Sequence, residues 1–505
     1  MRTIKKGAQA LFLTGFFLIL GISGILYGQS SDEEPSSDFD VFKELPESLD
    51  DNGKKNESAG LQIDLVAQKQ FMHDSLFLPS KDFAAFDPWV FIQVLRYTKK
   101  ITPWNFLGFN VDLGLHNSTA TRAQVLHTIS SQYGGSDVMN QVHPMFNSEL
   151  SFLHFYVYEL NTHINFSANR QNSFFLEAGI LPVRFGNSFY KNPVSFFERY
   201  LPPRDYIQEY TPLDFPGAKF SYIHDLYRLD ILFVPDWGME KTGTDQNVAQ
   251  IARYLYFTNP GNVLSVKNSL NFTAVQMDYY FFWENISKNK IADHFGLGGE
   301  ITLRLFNYLN ASWQAMASNG VKHYTAAQKN AYGVESYTFS PLENSTEQYR
   351  LESLLSLNYN GLVNYQISTG YYYNGFGLSN QEYDVLVRAL KEAKAGYNSS
   401  NQVLSQSSML FFSEVLARYN VFSLSQHYLF VNIVNLKEQE IFTWGLSAFF
   451  SLEQFSLMPV AFTNFNVNGN TKIYLQIAAN IGAADSIFAE SPVAFTVNSG
   501  IQWSF

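Results

Sequence analysis

The chain ends in AFTVNSGIQWSF, residues 494–505. Apolar side chains fall at Phe495, Val497, Ile501, Trp503 and Phe505, with Thr496, Asn498, Gly500, Gln502 and Ser504 between them. A period of two marks a strand with one apolar and one wet face. The same alternation recurs upstream. In LGFNVDLGLH (107–116), Leu107, Phe109, Val111, Leu113 and Leu115 alternate with Gly108, Asn110, Asp112, Gly114 and His116. In HFGLGGEITLRL (294–305), Phe295, Leu297, Ile301, Leu303 and Leu305 oppose Gly296, Gly298, Glu300, Thr302 and Arg304. TKIYLQIAANIG (471–482) sets Ile473, Leu475, Ile477 and Ile481 against Tyr474, Gln476 and Asn480. Two architectures accept such strands. A soluble sandwich pairs the apolar faces in one core, whereas a membrane barrel turns them to lipid and lines a lumen with the polar faces.

Connection lengths separate the two. Eighteen alternating segments start near residues 61, 88, 105, 148, 173, 216, 227, 263, 273, 293, 308, 349, 362, 425, 441, 455, 471 and 494. Short links such as RQN, DL, FN, NG and NVNGN alternate with long ones at 117–147, 187–215, 236–262, 320–348 and 374–424. Asn360-Gly361 reads as a two-residue hairpin turn. Short turns at one rim and long loops at the other are the pattern of outer-membrane barrels. SSMLFFSEVLARYN (407–420) first looks like a further strand, which would make the count odd. As a helix it places Met409, Phe412 and Leu416 on one side, in the loop that already holds the helical pattern of QEYDVLVRALKEAKA (381–395). The expected fold is all-β: a transmembrane antiparallel β-barrel of about 18 strands (16–20) over residues 59–505. Both termini lie on the short-turn side, and the long extracellular loops carry one or two short helices.

Composition fits that fold. Aromatic residues make up 16%, with 46 Phe and 30 Tyr, and charged residues only 16%, below the roughly 25% usual for soluble domains. Residues 1–28 open with Arg2, Lys5 and Lys6 and continue as an apolar run to Gly28, the pattern of a secretory signal peptide. Residues 29–58 carry ten acidic side chains against three lysines and read as a disordered acidic tether. No later stretch is apolar for long enough to cross a membrane as a helix. The chain has no cysteine, which excludes disulfides and thiol chemistry. A net charge of −11 with no basic stripe argues against nucleic acid. The ten histidines form no His-Glu-x-x-His pattern, and neither a Gly-x-Ser-x-Gly elbow nor a phosphate-binding loop occurs. The reading is therefore a non-enzyme without metal or cofactor, exported to the outer membrane of a diderm bacterium.

Two stretches carry resemblances. The last strand, ending on Trp503 and Phe505, resembles the C-terminal signal that outer-membrane barrels present to their assembly machinery. FFLEAGILPVRFGNSFYKNPVSFF (174–197), FPGAKFSYIHDLYRLDILFVP (215–235), YYYNGFGLS (371–379) and HYLFVNIV (427–434) resemble strands and loops of large porin-type barrels of the alginate-export kind. That resemblance implies a pore lined by basic residues. Gly179-Ile180-Leu181 stands where the group often has Gly-Arg-Gln, and Phe185 replaces its Trp. Trp104, Trp444 and Trp503, near strand ends, fit an interfacial girdle.

The loop 187–215 mixes Lys191, Arg199 and Arg204 with Tyr190, Tyr200 and Tyr206. Folded inward, it would narrow the pore with groups suited to carboxylates and sugar rings; the plainer reading is an ordinary external loop. Asp112, His116, Glu177, Glu300, Arg304 and Glu352 are candidates for facing the lumen. A barrel of this size encloses an aqueous channel unless plugged. The expected function is passive passage of small hydrophilic, weakly anionic or sugar-like solutes, by a monomer in outer-membrane lipid, with a trimer as the other arrangement. The alternative is an adhesin or receptor with a blocked lumen, motivated by the large 374–424 insertion. Neutralising Arg199 and Arg204 is expected to change single-channel conductance or ion preference; unchanged permeation excludes this loop as the constriction.

Overall fold

A computed structural model describes residues 59–78, 89–104, 107–118, 154–169, 172–181, 193–194, 215–235, 262–285, 294–319, 323–331, 334–342, 347–362, 364–418, 424–435, 441–468, 470–491 and 493–504. Residues Asn56–Phe505 form one compact unit.

The wall runs through β1 (Ala59–Met72), β2 (Trp89–Trp104), β3 (Leu107–Ser118), β4 (His154–Asn169), β5 (Asn172–Leu181) and β6 (Phe215–His224). It continues through β7 (Tyr227–Val234), β8 (Asn262–Asn271), β9 (Val275–Asn285), β10 (His294–Phe306) and β11 (Leu309–Ser318). A separate hairpin, β12 (Tyr324–Ala331) with β13 (Val334–Pro341), follows. The wall then resumes as β14 (Arg350–Leu362), β15 (Tyr365–Asn374), β16 (His427–Asn435), β17 (Phe442–Ser451), β18 (Ser456–Asn468) and β19 (Thr471–Ala479). The two-residue β20 (Ile481–Gly482) and β21 (Val493–Ser504) end it. Setting β20 aside from this 19-stranded sheet leaves eighteen wall strands.

Each pairs antiparallel with its neighbours, β11 pairing directly with β14. The ring closes where β21 lies between β19 and β1, with Trp503 opposite both Thr471 and Ile63. Among the described residues every wall strand has a partner on both sides, which is the condition for sheet structure in lipid.

The two faces follow the alternation. On β10, Leu297 is 69% exposed while Glu300 is 1% exposed. On β19, Ile473, Leu475 and Ile477 are exposed while Tyr474 and Gln476 are buried. A water-soluble protein shows the reverse distribution; an apolar outer face over a polar interior is that of a membrane barrel.

The connection between β15 and β16 folds as α1 (Asn380–Tyr397) and α2 (Gln402–Arg418). Ser379 caps α1, accepting from the Glu382 backbone N–H while the Glu382 carboxylate accepts from the Ser379 N–H, so two orphan donors are satisfied reciprocally. Leu386 and Leu390 of α1 and Phe411, Phe412 and Val415 of α2 are fully or almost fully buried. They share one cluster with Leu354, Tyr372, Tyr428, Phe430, Met458 and Val460, which belong to β14, β15, β16 and β18. The helix pair therefore lies against the inner face at the long-loop end.

Three local expectations change. The helices are not short, having 18 and 17 residues. The turn expected at Asn360-Gly361 lies further on: Leu362 pairs with Tyr365, a bulge falls between Tyr359 and Leu362, and Asn364 takes the left-handed conformation, φ 73°. Asparagine tolerates that region because its short amide bonds locally. The Tyr359 ring meanwhile lies against Gly361, where a Cβ would come within 2.5 Å of its hydroxyl. Ile481 does not extend the face of β19; it pairs with Leu457 at the start of β18.

Leu475→Lys, mid-strand on the outer face, is expected to cost about 2–4 kcal/mol of stability in lipid, read by urea titration of protein refolded into vesicles. A cost below about 0.5 kcal/mol, the scale of an ordinary surface change, contradicts lipid contact there.

Candidate functional site

The inner face is the candidate site, and its register can be followed round the wall. Ser269, Asp278, Glu300, Gln314, Leu354, Tyr372, Tyr428 and Ser451 are successive direct opposites from β8 to β17. Along this row the chemistry changes from charge and amide to leucine, tyrosine and hydroxyl.

The β5–β11 sector carries paired charges. Lys219 reaches Glu177 at 2.5 Å, Arg228 reaches Asp230 at 2.8 Å and Lys267 reaches Asp278 at 3.3 Å. Ser221 Oγ donates to Asp230 at 2.5 Å. Tyr280 Oη lies 3.1 Å from Asp278 Oδ2 and 3.3 Å from Glu300 Oε2, and Gln314 Nε2 donates to Glu300 Oε1 at 3.0 Å. Glu177 and Lys219, and Asp278 and Lys267, meet across neighbouring strands of one pleated face, whereas Arg228 and Asp230 lie two apart on β7 itself. In the other sector neutral groups also pair across strands: Ser447 Oγ donates to Asn432 at 2.8 Å, and Asn498 donates to Gln476 at 3.1 Å.

The helix pair is tied down by charges that reach three different loops. Lys391 meets Asp485 at 2.5 Å, Lys394 meets Asp74 at 2.6 Å, and His323, 2% exposed, meets Glu382 at 2.9 Å. Tyr383 Oη also donates to the Asp485 carbonyl at 3.1 Å. Phe339 of β13 and Ile487 and Phe488 after β20 join the same apolar cluster. Burial pushes the Glu382 carboxyl up, but hydrogen bonds from His323 and Ser379 outweigh it and hold the group below its ordinary value. The result is a folded cap built from the 73–78, 323–331, 334–342, 376–418 and 480–491 segments at the long-loop end.

Glu177, Glu300, Arg304 and Glu352 occupy inner-face positions; Glu352 accepts a hydrogen bond from Tyr372. Backbone register puts positions 112 and 116 in line with 98 and 94 of β2, and these with 60 and 64 of β1. Position 64 lies opposite 502, on the face of β21 that holds the buried Asn498. Trp503 sits in the closing pair, while Phe505 lies outside the described residues. Lys191, Arg199, Arg204, Tyr190, Tyr200 and Tyr206 also lie outside them. From that loop Pro193 and Val194 are described and buried. Val194 joins Leu181, Leu232, Val234, Tyr280 and Phe282, so this point of the loop touches the inner face.

Sequence reading did not single out Lys267, Asp278, Tyr280 or Gln314. VQMDYYFFWEN (275–285) is aromatic on both faces, which hides its alternation; Gln276 and Asp278 two apart were the available signal.

No family model and no curated protein sequence matches the chain. Solved structures do match in shape. OccAB1 of Acinetobacter baumannii superposes with a TM-score of 0.50 at 10% identity, covering 91% of this chain and 99% of that one. OccK8 (OprE) of Pseudomonas aeruginosa gives 0.44 at 10%, covering 89% and 98%. Wzi of Escherichia coli, described as an outer membrane protein involved in group 1 capsule assembly and a carbohydrate-binding β-barrel, gives 0.45 at 6%, covering 88% and 84%.

Because the folded-state value of Glu382 is depressed, its joint stabilises the cap above the ordinary carboxylate range and loses that contribution as pH falls through the folded value. Cleavage by an acid-active protease within 375–425 is expected to accelerate between pH 7 and about pH 3, and less so in Glu382→Gln. An identical acceleration in that variant rules the joint out as its source.

Proposed function

We propose that the chain is an outer-membrane channel of porin type for passive diffusion of small hydrophilic solutes. One observation carries this reading: a closed eighteen-strand wall with leucine and isoleucine outside and cross-strand ion pairs inside. Eighteen strands enclose more space than wall side chains alone fill. The helix pair takes up part of the opening on the β14–β18 side, which leaves the charged β5–β11 sector as the other wall of the path. With both signs of charge paired there, the path suits sugar-like and other hydrophilic solutes. A preference for weakly anionic ones rests on the basic groups of 187–215, and the alginate-export resemblance rests on 174–197, 215–235, 371–379 and 427–434. In this reading residues 1–28 direct export and 29–58 form a tether. Trp503 and Phe505 address the assembly machinery, and the protein works as a monomer without cofactor. The folded cap favours one second reading, a receptor or adhesin with a blocked lumen.

Single-channel recording of the refolded protein in a planar bilayer tests both. Discrete steps, enlarged by replacing 380–418 with a short flexible linker, are the expected result. Silence from folded, heat-modifiable protein overturns the channel and favours the receptor.

A further inference from the structure

We infer that Asp278 and Glu300 on the inner face hold a hard divalent cation of the calcium class. The two carboxylates are direct opposites on β9 and β10, and each side chain belongs to a residue only 1% exposed. Like charges at that spacing repel, and burial removes the water that would otherwise screen them. The neighbours answer this only in part. Lys267 at 3.3 Å and Gln276 Nε2 at 3.2 Å both approach Asp278 at Oδ2, leaving its Oδ1 untouched, and Thr302 Oγ1 reaches Glu300 Oε1 only at 3.5 Å. The Tyr280 hydroxyl lies within reach of both carboxylates, but its one proton serves one of them at a time.

What is left over is all acceptor. Asp278 Oδ1 and Gln314 Oε1 are buried without a hydrogen-bond partner among the described residues. Gln314, 1% exposed, belongs to the same cluster because its amide nitrogen is fixed on Glu300. A buried oxygen that finds no donor carries a desolvation cost, and here one occupant relieves two such oxygens and the charge repulsion together. A set made of carboxylate, amide and phenol oxygens, with neither imidazole nor thiolate, selects a hard ion. Among the described residues no three His, Asp or Glu side chains converge. The neutral oxygens of Gln314 and Tyr280, and water, therefore complete the coordination that calcium requires. Burial decides between a metal ion and the ammonium group of a passing solute, since a bare ion fits where a solute cannot enter. The site also ties β9, β10 and β11 together across the charged sector of the wall.

Terbium, a luminescent stand-in for calcium, tests this on the refolded full chain, with Tyr280 and Trp283 of β9 as the sensitising rings. Saturable sensitised emission that calcium displaces is expected. Asp278→Asn and Glu300→Gln should each weaken it roughly tenfold or more, the scale on which ligand charge tunes such sites, while Asp384→Asn on the exposed face of α1 leaves it unchanged. Absence of saturable emission overturns the proposal, and so does emission of equal affinity in both wall variants, which would place the ion on the acidic 29–58 segment. A second readout needs no variant: millimolar calcium should raise the urea midpoint of the unaltered protein relative to chelator. No shift means the two carboxyls are relieved by a shared proton instead.

Discussion

A strand that crosses lipid must give every backbone N–H and C=O a protein partner, because the hydrocarbon offers none. The rest of this structure depends on that constraint. It requires the sheet to close, and the closure is made by β21 lying between β19 and β1. Closure by antiparallel neighbours makes the number of wall strands even. An even number returns the last strand to the rim where the first began, and the connections then fall into two sets at opposite ends.

Once closed, the sheet has an inside and an outside with opposite solvents. The outside needs only apolar bulk, and leucine and isoleucine supply it, Leu297 and Leu475 among them, while Trp313 adds a hydrogen bond from its indole N–H to Ser353 Oγ at 2.9 Å. The inside is more demanding. It holds charges in reduced contact with water, and the wall meets this by placing opposite charges on adjacent strands, as with Glu177 and Lys219 or Asp278 and Lys267. Where the wall carries leucine, tyrosine and methionine instead, the chain covers them with its own helices. The β15–β16 connection is thus explained by the apolar character of the wall beneath it as much as by its own pattern.

Legibility followed the range of the interaction. The eighteen wall strands could be read because a period of two is set by each strand's own pleat, whatever its neighbours are. Helix character at 407–418 could be read because a strand there breaks the even count. The turn after β14 was misplaced because Asn360-Gly361 is a good local turn, yet the Tyr359 ring occupies that position and a bulge moves the reversal to Asn364. The hairpin of β12 and β13 escaped because its apolar residues, Tyr324 and Phe339, find their partners in the helix cluster, which lies elsewhere in the chain. Ile481 followed the alternation of β19 in sequence and left it in space for β18.

The candidate site divides the same way. Which residues of β10 and β14 face inward, Glu300, Arg304 and Glu352 among them, follows from strand parity, and parity is written in the sequence. Which of them meet, and with what, depends on register, which sequence pattern leaves free by steps of two. Asp278 faces Glu300, and Glu300 faces Gln314, only because β9, β10 and β11 pair at one offset. His323 reaches Glu382 across a separation of 59 residues, and Lys394 reaches Asp74 across 320. The sequence by itself determined the barrel, its two faces and its two rims, because alternation and loop length are local. Only the tertiary structure decided the ion pairs of the inner wall and the inward placement of the helices, because those depend on closing the ring and fixing the stagger of each strand against the next.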